Sequence, residues 1–114
     1  MKAYILSSCS TCQRILKEVE WQGDVHDIKT EGVPATLLDA IATQEGGYEK
    51  VFSKRAMKYK SMGLKEKSLS EQEFRALILE EYTFLKRPVF DCSDTYFVGN
   101  SKSTVAALKT HLQG

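Results

Sequence analysis

No run of apolar residues approaches the roughly 18 that a membrane span requires. The N-terminal stretch MKAYILSSCSTCQRIL turns polar after a few apolar positions. Neither export nor bilayer insertion is therefore expected, and the cytoplasm is the expected location. Proline is scarce at two residues and glycine stands at seven, beside five Phe and five Tyr. That balance excludes a collagen-like, low-complexity or disordered chain. An excess of charge is missing too. Sixteen Lys and Arg against 15 Asp and Glu leave a net charge of +1, so no strong field for nucleic acid, membrane surface or anionic polymer arises. The three cysteines, Cys9, Cys12 and Cys92, are an odd number and do not describe a secreted disulfide scaffold.

What is present is a 114-residue chain, 42% hydrophobic and 27% charged. Such a chain can bury a core without metal or disulfide staples, and one domain spanning residues 1–114 is expected. Charge balance fails locally between Lys54 and Lys67, where Arg55, Lys58, Lys60 and Lys65 accompany the lone Glu66. Such an interval serves either as a docking patch or as a solvated rim.

Ala3 to Leu6 has the length and branched or aromatic content of a buried strand, and Ile15, Leu16 and Val19 then repeat at helical spacing. Gly23 is expected to close that helix, and Val25–Ile28 to form a weak second strand. Pro34 suits the first position of a second helix, with Leu37, Leu38 and Ile41 as its apolar face and Gly46-Gly47 as its stop. A short helix over 56–62 is expected before Gly63. Ser70 with Glu73 three residues on has the form of a capping box, and Phe74, Leu77, Ile78 and Leu85 line one side of the helix it opens. Val89-Phe90 and Tyr96–Val98 flank Asp91–Asp94 as a hairpin, and Val105, Leu108 and Leu112 mark a last helix. The order is βαβ, an inserted helical region, then ββα.

Cys9 and Cys12 fall at the junction of the first strand and helix. A thiolate there meets the unpaired N–H groups and positive dipole end of the helix, which lowers its pKa. Cys12, one turn on, can displace a substrate bound to Cys9. The same spacing could form half a zinc site, but Cys92, His26 and His111 do not make a second knuckle, and no metal is expected. Two inert core thiols are the remaining reading. Arg14 either adds positive charge near the thiolate or faces solvent. Arg87-Pro88 opens the hairpin strand, where a proline need not donate to the ladder. Cys92 reads as incidental in a turn, His26 and His111 as surface residues. Trp21, Tyr48, Phe52, Tyr59 and Tyr82 are too scattered for a base-stacking platform, so direct nucleic-acid binding is not expected.

The cysteine junction, Lys54-Arg55, Leu85-Lys86-Arg87-Pro88-Val89 and Phe97-Val98-Gly99 together resemble the ArsC family of arsenate reductase-like proteins. That family also contains the Spx-type regulators that bind RNA polymerase. The resemblance implies an α/β, thioredoxin-like fold: a mixed four-stranded sheet, with the helical insert at about 34–85 between the βαβ and ββα parts. It also implies that Arg87-Pro88 is the cis-proline segment facing the reactive cysteine. Cys9 matches the nucleophile of the glutathione- and glutaredoxin-dependent arsenate reductases. Cys12 stands where those enzymes carry serine and matches instead the C-x-x-C switch of the Spx type. Of the three arginines that hold an oxyanion in such reductases, Arg87 matches one and Arg55 resembles another. The third place falls at Gly99-Asn100-Ser101, which has none, and a bidentate donor fork is lost.

Three functions follow from that resemblance. The first is a thiol oxidoreductase using Cys9 and Cys12, with glutathione, glutaredoxin or thioredoxin as reductant. The second is a redox-sensing regulator that binds the RNA polymerase alpha subunit, and the third a glutaredoxin-dependent arsenate reductase. None implies a bound cofactor; glutathione would enter as a co-substrate. No membrane partner is implied.

Overall fold

Ala3, Tyr4 and Ile5 suit a pleated, buried surface, and they lie in the first strand, β1 (Lys2–Ile5). The computed structural model describes all 114 residues. The chain forms two compact units. One is Met1–Glu31 with Arg87–Gly114, and the other is Gly32–Lys86. No helix is long and apolar enough to cross a membrane.

The first unit holds α1 (Ser10–Glu18), β2 (Asp24–Asp27), the single turn α2 (Ile28–Glu31), β3 (Val89–Asp91), β4 (Tyr96–Val98) and a closing helix, α6 (Lys102–Gln113). Its sheet has the order β2-β1-β3-β4. β1 pairs parallel with β2 and antiparallel with β3, which pairs antiparallel with β4. This is the mixed four-stranded sheet that the resemblance implies. Ala3 and Ile5 of β1 join Phe90 and Cys92 at β3, Cys12 and Ile15 of α1 with Val19 just past its end, and Val105 and Leu108 of α6 in one buried cluster. Strand alternation and helical periodicity converge here, since each element turns its apolar side to this layer. Trp21 packs against the cluster, its ring 4.9 Å from that of Phe90 and tilted to it, and its Nε1 donates to the Asp24 carbonyl.

Several expected boundaries move, each for a local reason. α1 ends before Gly23: Glu20 takes the left-handed conformation (φ 53°) and the Trp21 N–H donates to the Leu16 carbonyl, closing the helix without glycine. Gly23 answers a different need, because a Cβ there would lie 2.5 Å from the Met1 carbonyl oxygen. β2 starts at Asp24 and stops at Asp27, leaving Val25 exposed and starting α2 at Ile28. Pro34 is the N-cap of α3 (Ala35–Glu45) rather than its first helical residue, and its carbonyl accepts the Leu38 N–H. Asp91 belongs to β3, so the hairpin turn is Cys92–Thr95, with Cys92 N–H donating to the Thr95 carbonyl.

The second unit contains α3, α4 (Met57–Ser61), α5 (Glu71–Glu80) and short 3-10 turns. Gly46 ends α3 in the left-handed region at φ 96°, and the Ser70–Glu73 capping box opens α5 with both of its hydrogen bonds formed. Leu85 is not on α5. That helix stops at Glu80, and Leu85 instead forms an antiparallel bridge with Phe52. The pairing of Ser53 N–H with the Phe84 carbonyl and of Lys86 N–H with the Val51 carbonyl holds the segment extended. Phe52 is the hub of this unit, with ring centroids 4.9 Å from Phe74, 4.8 Å from Phe84 and 5.9 Å from Tyr59. The basic interval is partly neutralised, since Lys54 pairs with Glu49 and Lys58 with Glu81.

Two stability outcomes follow. Ser70→Ala removes the acceptor for the Glu73 N–H and should lower unfolding free energy by about 1 kcal/mol in urea titration. Phe52→Ala leaves a void among three rings and should cost about 3–5 kcal/mol by the same measurement.

Candidate active site

β1 ends at Ile5, and the chain reaches α1 through a tight turn in which the Cys9 N–H donates to the Leu6 carbonyl at 2.9 Å. Ser7 is tied on both sides. Its N–H donates to Asp27 Oδ2 at 3.3 Å, and its carbonyl accepts from Gln13 Nε2 at 3.3 Å. Cys9 is the N-cap of α1, with extended backbone (φ −86°, ψ 110°), and its carbonyl accepts the Gln13 N–H that begins the helix.

The Cys9 thiol closes no capping hydrogen bond of ordinary geometry, as expected of a weak sulfur acceptor. Ionisation changes that balance. Burial opposes the charge and is the largest single influence on Cys9. Against it act the Cys12 N–H, the Cys12 thiol, the Arg87 guanidinium and the Thr11 N–H, and together they hold the Cys9 pKa below the ordinary thiol range. Cys12 goes the other way. It is fully buried, and burial foremost, opposed by a Leu6 backbone hydrogen bond and reinforced by the Cys9 sulfur, pushes its pKa up to about 11. Both thiols are free. The pair therefore holds one exposed-side sulfur inclined to ionise and one buried sulfur that keeps its proton and offers it as a hydrogen bond.

Arg87 is the cation of this arrangement. Its charge acts on both sulfurs, and its Nε is buried without a hydrogen-bond partner. The Arg87–Pro88 peptide bond is cis, Pro88 is buried, and its carbonyl accepts the Gly99 N–H at 2.9 Å. Cys9, Cys12 and Arg87 thus act on one another within the first unit. Arg14 faces solvent and pairs with Glu18 one turn along, Nη1 to Oε1 at 3.3 Å. Arg55 lies in the second unit and is exposed.

Cys92 is buried in the core cluster at the end of β3, where burial and then Asp91 and Asp94 raise its pKa. His26 is half-buried, stacked on Tyr4 with Nδ1 3.0 Å from Glu31 Oε1, rather than lying free on the surface. His111 is exposed. No three His, Cys, Asp or Glu side chains gather as metal ligands. Two participants carry no signal in the sequence: the Thr11 N–H, because it is backbone, and Asp27, which reaches Ser7 only through strand pairing.

A protein-family model described as the ArsC family matches residues 4–108. No curated protein matches the sequence. Among solved structures, the chain is similar to a protein from Streptococcus mutans described as a possible arsenate reductase, with 30% identity, a TM-score of 0.61, and coverage of 77% of this chain and 79% of that one. It is also similar to an arsenate reductase from Vibrio cholerae, at 19% identity and a TM-score of 0.78 over 95% of this chain and 98% of that one. An arsenate reductase related protein from Brucella melitensis has 21% identity and a TM-score of 0.68, covering 93% of this chain and 91% of that one. The matched segment runs from Tyr4 in β1 to Leu108 in α6 and includes Cys9 and Cys12; the chain belongs to the ArsC family and has a thioredoxin-like fold.

Proposed function

We propose that this protein is a thiol oxidoreductase that reduces disulfide-type substrates, with Cys9 as nucleophile and Cys12 as resolving thiol. The observation that carries this reading is the opposite inclination of the two sulfurs, Cys9 toward the thiolate and Cys12 toward the thiol. A nucleophile must be ionised when substrate arrives, and a resolving thiol must not compete for it.

The Cys9 thiolate attacks one sulfur of a substrate disulfide. A Cys9–substrate bond forms as the substrate S–S bond breaks, and the first substrate thiolate leaves and takes a proton from water. Cys9 has then lost its charge. Two of the influences that hold the proton on Cys12, the hydrogen bond to the Cys9 sulfur and its negative charge, disappear, while the Leu6 hydrogen bond and Arg87 still favour a Cys12 thiolate. Cys12 releases its proton to water and attacks Cys9 Sγ. The Cys9–Cys12 disulfide forms and the second substrate thiolate departs. Two electrons pass from the dithiol to the substrate, and two molecules of an external monothiol such as glutathione, which leave as their disulfide, or one glutaredoxin or thioredoxin dithiol, return them.

Within the first unit Arg87 is the one guanidinium that acts on Cys9, and Gly99-Asn100-Ser101 brings no cationic side chain. Within that unit a single donor fork supports a disulfide substrate better than a doubly charged oxyanion, whose charge calls for several.

Two outcomes test the reading. Alkylation by iodoacetamide across pH should show Cys9 reacting with a midpoint below about 8.5, the ordinary thiol value. Cys12 should stay slow until the pH nears its value of about 11; equal rates sharing an ordinary midpoint refute the assignment. With oxidised glutathione, Cys12→Ser should accumulate a mixed disulfide on Cys9 visible by mass spectrometry, whereas Cys9→Ser should not. Accumulation in Cys9→Ser alone would reverse the two roles.

A further inference from the structure

Ser7 is where the chain leaves the sheet on its way to Cys9, and neither Ser7 nor Ser8 is buried. The turn therefore has no apolar side chain of its own between Leu6 and Cys9 to fix it by packing. In the parallel register Ile5 stands opposite Asp27, which sets the last residue of β2 beside this departing segment. Asp27 Oδ2 accepts the Ser7 N–H at 3.3 Å, the Ser7 hydroxyl donates to the same carboxylate, and Oδ1 accepts the Lys29 N–H at 2.8 Å. Asp27 is itself held: its N–H donates to Glu31 Oε2 at 3.2 Å, and Glu31 Oε1 lies 3.0 Å from His26 Nδ1. His26 is stacked on Tyr4 of β1, ring centroids 5.3 Å apart.

We propose that Asp27 is a positioning residue for the reactive thiol: by holding Ser7, its carboxylate fixes the turn that sets the Cys9 sulfur against the Thr11 and Cys12 N–H groups. This rests on the Cys9 chemistry proposed above. The physical reason is geometric. Hydrogen bonds to a sulfur anion fall off steeply with distance and angle, so a turn free to shift loses the donors that favour ionisation. A second role for Asp27, as a bare negative charge near the thiolate, would act in the opposite sense, since a like charge disfavours the anion. Asp27 is not among the groups that act directly on Cys9.

The sign of one measurement separates the two. If Asp27 positions, Asp27→Ala should raise the midpoint of Cys9 thiolate formation and slow its alkylation at neutral pH about three- to tenfold, the size of one lost hydrogen bond. Asp27→Asn keeps an acceptor for the Ser7 N–H and should recover most of the rate. An unchanged midpoint, or one that falls in both variants, overturns the proposal. In the unaltered protein the Ser7 amide proton should shift in NMR as the Asp27 carboxyl titrates, below the usual carboxylate range; a Ser7 amide indifferent to that titration overturns the proposal even if Asp27→Ala does not fold. A Cys9 that titrates as an ordinary thiol in the unaltered protein refutes the function proposed above as well. A depressed midpoint that Asp27→Ala leaves in place refutes the positioning role alone.

Discussion

A sulfur anion at the head of a helix is stabilised by donors that the helix cannot use itself, and the rest of the first unit serves to keep that meeting in place. The thiolate gains from the Thr11 and Cys12 N–H groups because Cys9 is the N-cap and not a residue further along. Cys9 is the N-cap because α1 is anchored at Cys12 and Ile15, and at its C-cap Val19, in the cluster that also holds Ala3 and Ile5. The strand that precedes the turn and the helix that follows it share one apolar layer. The position of the Cys9 sulfur is thus inherited from packing several residues away, and Arg87 adds a charge from a third segment of the chain.

Cys12 meets two demands at once. It is a fully buried member of the core cluster, where a small apolar-like thiol packs well, and burial is what keeps it protonated. The same burial would make it inert if nothing changed during turnover. What changes is its neighbour: once the Cys9 charge is used in a covalent bond, the remaining Leu6 hydrogen bond and Arg87 guanidinium both act toward ionisation. In the proposed reaction the first step thus removes part of what holds the Cys12 proton, while burial, the largest influence, stays.

Much of this architecture is legible in the sequence because it follows from local rules. The branched run at residues 3–6, the 15/16/19 spacing of α1 and the Ser70–Glu73 capping box each carry their own structural cause, and each appears in the fold. The misreadings arise where a distant partner decides. Leu85 has the right spacing for α5 yet pairs with Phe52, and Gly23 has the look of a helix stop yet makes room for Met1. At the site, Cys9, Cys12 and Arg87 stand out by residue type. Arg14 also lies near in sequence, but helical geometry sends it to Glu18. Asp27 is 20 residues from Ser7, and only the parallel strand register joins them; no periodicity could reveal it.

The packing of Trp21 against Phe90 has a practical side. It is the single tryptophan of the chain, and it sits on the layer that also contains Cys12. Red-edge excited fluorescence will therefore come from the sheet-bearing unit alone, while the Phe52-centred unit stays dark. Loss of one unit before the other would register as a mismatch between that emission and far-ultraviolet circular dichroism, so the molecule carries its own optical label for the half that holds Cys9 and Cys12.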